Sequence, residues 1–120
     1  MKRIISAVFI FCLLAGCLKS SNKLSPLGED AVILAFGDSL TFGTGARADE
    51  SYPAILESLI GRKVVNVGVP GEITLSGLKR LPGLLDEYNP ALLILCHGGN
   101  DLIRRMDEKQ AVNNIKEMIS

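Results

Sequence analysis

The chain has 120 residues, with 13 basic and 13 acidic side chains that cancel, so it is long enough for one domain at most and offers no charge-based handle for nucleic acid. Apolar residues make up 48% of it, ample for a core, which excludes a disordered chain. Aromatic residues are only 5% and Trp is absent, which argues against recognition by base or sugar stacking.

The first segment reads as a targeting signal. Lys2 and Arg3 precede an apolar stretch from Ile4 to Leu14, interrupted only by Ser6. That stretch is too short to span a bilayer, which takes about 20 apolar residues. It fits the basic and apolar regions of a secretory signal. Leu14-Ala15-Gly16-Cys17 is similar to the lipobox of bacterial lipoproteins, in which cleavage precedes the Cys and the Cys is lipidated. The alternative is an ordinary signal peptide, or an uncleaved anchor, with an incidental Cys. The lipoprotein reading divides the chain into a signal peptide at 1–16, a lipidated Cys17 with a polar tether at 17–30, and a domain at 31–120. It implies a chain anchored in the bacterial cell envelope, facing periplasm or exterior. Cys12 would be removed and Cys17 acylated, which leaves Cys96 alone, in an apolar run that reads as core. No pair remains for a disulfide, and no Cys-x-x-Cys or His pair offers a zinc site.

From Ala31 the chain alternates strand and helix signals. Ala31 to Phe36 is a continuous apolar run ending at Gly37, which predicts a strand buried on both faces. Ser51 is placed to cap a helix that carries Ile55, Leu56, Leu59 and Ile60, with Pro53 in its first turn and Gly61 as its stop. Val64 to Val67 is a second strand. Thr74 or Ser76 starts a helix with Leu75, Leu78, Leu81 and Leu85 at helical spacing, in which Pro82 should produce a kink or a break. Leu92 to Cys96 is a third buried strand. Asp107 and Gln110 resemble a capping box for a last helix, with Ala111, Val112, Ile115, Met118 and Ile119 on one face. This order predicts an α/β fold, three layers with a parallel sheet between helices.

In such sheets ligands bind beyond the carboxyl ends of the strands. The segments there are Gly37 to Gly45, Gly68 to Thr74 and His97 to Leu102, all glycine-rich. Gly37-Asp38-Ser39-Leu40 follows the first strand, where a Ser presents its hydroxyl at the sheet edge and its N–H toward a ligand. Gly71 follows the second strand with an unhindered N–H. Asn100, in Gly98-Gly99-Asn100-Asp101, follows the third with a side-chain amide. Each alone is ordinary turn chemistry. Ser, Gly and Asn at three consecutive strand ends are the parts of an oxyanion hole.

These residues resemble the SGNH (GDSL) hydrolases, most of all the bacterial thioesterase, lysophospholipase and arylesterase branch. Gly37-Asp38-Ser39-Leu40 matches the first family block, Gly71 the second and Asn100 the third, and the similarity continues through Gly77-Leu78-x-Arg80-Leu81-Pro82 and Pro90. The resemblance implies a flavodoxin-like fold and a serine esterase that needs no cofactor or metal. It implies Ser39 as nucleophile, with the Ser39 N–H, the Gly71 N–H and the Asn100 amide holding the oxyanion. One such donor is commonly worth ~3 kcal/mol of barrier. The implied substrate is a carboxylic ester or thioester, lipid-like or small. The family's base is a His in an Asp-x-x-His block, which these 120 residues do not contain. The expectation is therefore the N-terminal part of the domain, truncated after its third strand-helix unit and inactive alone. His97 is expected to line or flank the cleft, and Asp38 and Asp101 to brace their own loops by hydrogen bonds.

Two other classes compete. A phosphate- or nucleotide-binding module would use the glycine-rich Gly37 to Gly45 segment, but that segment contains neither the P-loop pattern nor a Lys. A non-catalytic, lipid-anchored binding protein on the same scaffold would have no need of intact Ser39, Gly71 and Asn100.

Overall fold

The computed structural model describes residues 25–120. The expected signal peptide, Cys12, Cys17 and the first part of the expected tether lie outside the described residues. Strand β1 spans Ile33–Gly37, β2 Val64–Gly68 and β3 Leu92–Cys96. Helix α1 is a single turn at Ser39–Phe42, followed by α2 at Tyr52–Ile60, α3 at Thr74–Tyr88, a short α4 at Gly99–Ile103 and α5 at Glu108–Met118.

All strand pairs are parallel and the sheet order is β2-β1-β3. The chain moves to one side of β1 and then crosses back to the other, which puts the two connecting helices on opposite faces. Leu34 and Phe36 point to one face and pack with Leu81 of α3 and Met118 of α5. Ile33 and Ala35 point to the other, against Leu56 and Ile60 of α2. Burying a side chain such as Phe36 or Leu34 completely stabilises the fold by roughly 1.5–3 kcal/mol. The order matches the start of a flavodoxin-like sheet, whose switch point lies between β1 and its third strand.

The register has a direct consequence for the site. Gly37, the last residue of β1, pairs with Gly68 and Cys96, the last residues of β2 and β3. All three strands end level, so the segments that follow them leave the sheet along one edge.

Several local expectations change. Only β1 is buried throughout; every residue of β3, Cys96 included, is half-buried, because β3 lies at an edge of the sheet. Pro82 does not break α3, which runs on to Tyr88 and stops at Asn89 in the left-handed region. Ser51 stands at the N-cap of α2, yet its hydroxyl donates to the Ala48 carbonyl at 2.9 Å instead of capping. The Asp107–Gln110 box is half-formed: Asp107 accepts from the Gln110 N–H, but the Gln110 amide turns to Asn114. The inward face of α5 is Ala111, Asn114 and Met118, while Val112 and Ile119 are exposed, as are Ile55 and Leu59 on α2. The segment before β1 is fastened to the domain: Leu27 packs beside α2, and Arg62 donates to the Leu27 and Gly28 carbonyls.

Candidate active site

Ser39 is the first residue of α1 and is half-buried. Asp38 caps that turn, accepting from the Leu40 N–H at 3.0 Å. The Ser39 carbonyl accepts from the Gly43 and Thr44 N–H groups, which ties the turn closed. The Ser39 hydroxyl and N–H make no hydrogen bond among the described residues.

Gly71 owes its position to a tight turn. In Val69-Pro70-Gly71-Glu72 the Glu72 N–H donates to the Val69 carbonyl at 3.1 Å, and Gly71 has φ +77°. Pro at the second position and a left-handed Gly at the third define a type II turn. A side chain at Gly71 would be strained there, because L residues avoid that region. The Gly71 N–H is left without a protein acceptor among the described residues, and the Gly71 carbonyl takes a 2.7 Å bond from Arg104.

Asn100 lies in the first turn of α4, not in an irregular loop. Its side-chain nitrogen donates to the Glu72 carbonyl at 3.0 Å and to Asp38 Oδ2 at 3.3 Å. One amide thus bonds the residue before Ser39 and the residue after Gly71. Ser39, Gly71 and Asn100 all follow the level strand ends, and the Asn100 amide links the loops that carry the other two.

Asp101 does something different from bracing its own loop. It is 4% exposed, and its carboxylate accepts from the Thr74 N–H at 2.9 Å and the Thr74 hydroxyl at 2.7 Å. The first N–H groups of a helix lack intrahelical partners, and a negative charge is favourable beside them. Ile73, at the N-cap of α3, supplies no side-chain acceptor, so Asp101 caps α3 from the loop after β3. Asn114 of α5 completes the cluster, donating to the Thr74 hydroxyl at 2.9 Å.

His97 borders an apolar groove beside Leu102 and Ile115, with its side chain turned inward. Its side chain is fully buried, Nε2 lies 3.0 Å from Glu72 Oε2, and Nδ1 accepts from the Gly98 N–H at 3.1 Å. An accepting Nδ1 leaves the ring hydrogen on Nε2, which donates to the carboxylate. Both ring nitrogens are therefore engaged away from Ser39. Glu72 is also held by Arg80 of α3, at 2.7 Å from each carboxylate oxygen. Burial pushes the Glu72 carboxyl upward, but the Arg80 and His97 hydrogen bonds and the Arg80 charge outweigh it, and the net displacement is below the ordinary value.

Sequence reasoning missed Glu72, Thr74 and Asn114 as site-building residues and met Arg80 only within a motif. A signal existed for Arg80. Thr74, Gly77 and Leu81 form the buried stripe of α3, and Arg80, three residues after Gly77, flanks that stripe. Among the described residues no group of three or more His, Cys, Asp or Glu could hold a metal ion. A hollow of about 580 Å³ lined by Phe42, Ser51, Glu57 and Asn66 lies beside β2, and an apolar groove of about 400 Å³ runs between Leu102 and Ile115; Ser39 lines neither.

At one edge of this parallel α/β sheet lie a serine, a glycine N–H without a protein acceptor among the described residues and an asparagine amide. Residues 35–120 match the GDSL-like Lipase/Acylhydrolase family, and the chain belongs to it. An arylesterase of Vibrio mimicus is 35% identical across 100% of this chain and 58% of its own length. The thioesterase 1/protease 1/lysophospholipase L1 of Escherichia coli K12 is 33% identical over 72% of this chain and 43% of its own. Among solved structures, AlinE4, an SGNH-hydrolase family esterase, superposes with a TM-score of 0.71 at 41% identity, over 78% of this chain and 53% of that one. The chain spans about half the length of the relatives it matches.

Proposed function

We propose that the chain carries the nucleophile and the oxyanion-binding side of a serine esterase. The Ser39 hydroxyl attacks the carbonyl carbon of a carboxylic ester or thioester. The oxyanion is received by the Ser39 N–H, the Gly71 N–H and the Asn100 amide, the alcohol or thiol leaves, and water hydrolyses the acyl-Ser39. The observation that carries this reading is the Asn100 side chain, bonded to both Asp38 and Glu72 and so adjacent to Ser39 and Gly71 together. Its longer bond, 3.3 Å to Asp38, is the one an incoming oxyanion would displace. The relatives named for aryl ester, thioester and lysophospholipid hydrolysis support the substrate class.

The proton acceptor for Ser39 is a His from an Asp-x-x-His block, by analogy with the family. His97, buried and engaged at both nitrogens, does not fill that role. A p-nitrophenyl ester assay and a fluorophosphonate label test the proposal. The 120 residues alone should give no turnover above background, whereas the protein that also carries an Asp-x-x-His block should turn over and label at Ser39. Turnover by the 120 residues that vanishes in His97→Ala would overturn the assignment, and absence of label in the larger protein would favour a binding role.

The same reading makes Cys17 a lipidation site that tethers the domain at 31–120 to a bacterial envelope membrane. The basic start, the apolar run and Leu14-Ala15-Gly16-Cys17 support it. Radiolabelled palmitate incorporation that survives Cys17→Ser would remove it.

A further inference from the structure

Glu72 is an acidic side chain only 6% exposed, and it touches none of the proposed reacting atoms. A buried carboxylate is costly unless it is paired and hydrogen-bonded. Here the pairing is extensive. Arg80 meets both oxygens, His97 adds a third hydrogen bond, and Arg80 also donates to the Val67 carbonyl near the end of β2 at 2.8 Å. The guanidinium lies over the Phe36 ring, 4.3 Å from its centroid, so the core strand supports it from below. Gly77 makes room for the third partner: a Cβ there would come within 2.6 Å of the His97 ring nitrogen. The Gly77-Leu78-x-Arg80 stretch of α3 thus admits the imidazole and grips the carboxylate within one helical turn.

What this cluster holds is the last residue of the Val69–Glu72 turn. Type I and type II turns share their end residues and differ by a flip of the central peptide. In this turn the central peptide joins Pro70 to Gly71, and its N–H is the Gly71 N–H. The turn type therefore decides whether that N–H faces the Ser39 side or away. We infer that Glu72, anchored by Arg80 and His97, is a positioning residue that keeps the Val69–Glu72 turn in its type II form and so keeps the Gly71 N–H aimed as an oxyanion donor. The Glu72 backbone carbonyl reinforces the lock by accepting from Asn100, so two of the proposed donors are oriented through one residue. The inference rests on the reading of Gly71 as an oxyanion donor, but its structural half is tested without catalysis.

The experiment is two-dimensional NMR on the isotope-labelled full chain, comparing wild type with Glu72→Gln and Arg80→Lys. A type II turn gives a strong nuclear Overhauser effect between Pro70 Hα and the Gly71 amide proton, and a type I turn a weak one. Wild type should show the strong signal. Both variants should at least halve it and shift the Asn100 side-chain amide pair, while the amides of Ile33 to Phe36 stay in place. An unchanged Pro70–Gly71 signal in both variants overturns the inference. Where Glu72→Gln fails to fold, wild type is titrated with acid and the Glu72 carboxyl carbon is followed directly, which separates it from Asp38 and Asp101 nearby. Gly71 and Asn100 signals must then move with Glu72; signals that ignore its titration also overturn the inference. Ser39 labelling by fluorophosphonate is read separately, so a failed esterase reading and a failed positioning role give different results.

Discussion

The two sides of the candidate site are built differently. The loops after β2 and β3 are fixed by buried polar groups: Glu72 to Arg80 and His97, Thr74 to Asp101 and Asn114, and Asn100 across the gap. The loop after β1 ends in a serine hydroxyl with no partner among the described residues, and its neighbours Leu40 and Phe42 are 72% and 54% exposed. Donors that stabilise a developing charge work best when they need no reorganisation, which is what a satisfied buried network provides. A nucleophile needs the opposite: room for substrate and for a base that shares its proton. Among the described residues the proposed oxyanion donors are held by such a network, while the proposed nucleophile is left open.

The largest expected effect breaks the nucleophile side. In any form of the protein that hydrolyses a p-nitrophenyl ester, Ser39→Ala should lower kcat by roughly 10⁴- to 10⁶-fold. Its unfolding midpoint in urea should stay near wild type, since the hydroxyl has no partner to lose. A Ser39→Ala protein with near-normal turnover would sink the nucleophile assignment. The next effect breaks the fixed side. Asp101→Ala leaves the Thr74 N–H and hydroxyl without their acceptor and removes the cap of α3, for a loss of about 3 kcal/mol in urea denaturation. A loss below about 1 kcal/mol would mean that water replaces the cap without penalty. Gly71→Ala is smaller in stability, about 1–2 kcal/mol for a left-handed alanine. Arg104, the only neighbour a Cβ would meet, is at 3.4 Å and can move aside. Its kinetic effect should exceed what that stability change alone would bring, because the turn would relax toward the form that flips the Gly71 N–H. Equal kcat in Gly71→Ala and wild type would remove Gly71 from the oxyanion site.

Fold and site were legible in the sequence to different depths. The three strands could be read because each is a short, mostly apolar stretch stopped by Gly37, by Gly68 or by the His97–Gly99 segment, and parallel order follows from the intervening helices. Ser39, Gly71 and Asn100 could be selected as a proposed site because strand ends in such a sheet converge, and the three strands do end level. The supporting network could not be read, since it joins residues far apart in sequence. Asp101 caps a helix 27 positions earlier, and Asn100 reaches back 62 positions to Asp38. Polar periodicity was also misleading: Asn114 lies on the buried face of α5 because Thr74 gives it a partner, while the apolar Val112 and Ile119 are left exposed. Of the kink or break expected at Pro82, the break does not occur: the helix continues to Tyr88, with Leu81 and Leu85 packed on the core.

The smallest effect sharpens the comparison through pH. The Glu72 carboxyl is held below its ordinary value of 4.5, with burial opposing the Arg80 and His97 interactions that win. A carboxyl depressed in the folded state binds fewer protons there than in the unfolded chain. Its contribution is present in full above the ordinary carboxylate range and is lost as pH falls through the depressed folded value. Stability should therefore be flat with respect to this group near neutrality and decline on acidification below about 4.5. In Glu72→Gln that part of the decline should disappear, so urea midpoints of the variant and wild type should converge as the pH is lowered. Ser39→Ala removes no carboxyl and should keep the wild-type slope. A Glu72→Gln profile parallel to wild type through the acid range would show that the carboxylate is not what holds the fixed side of the site.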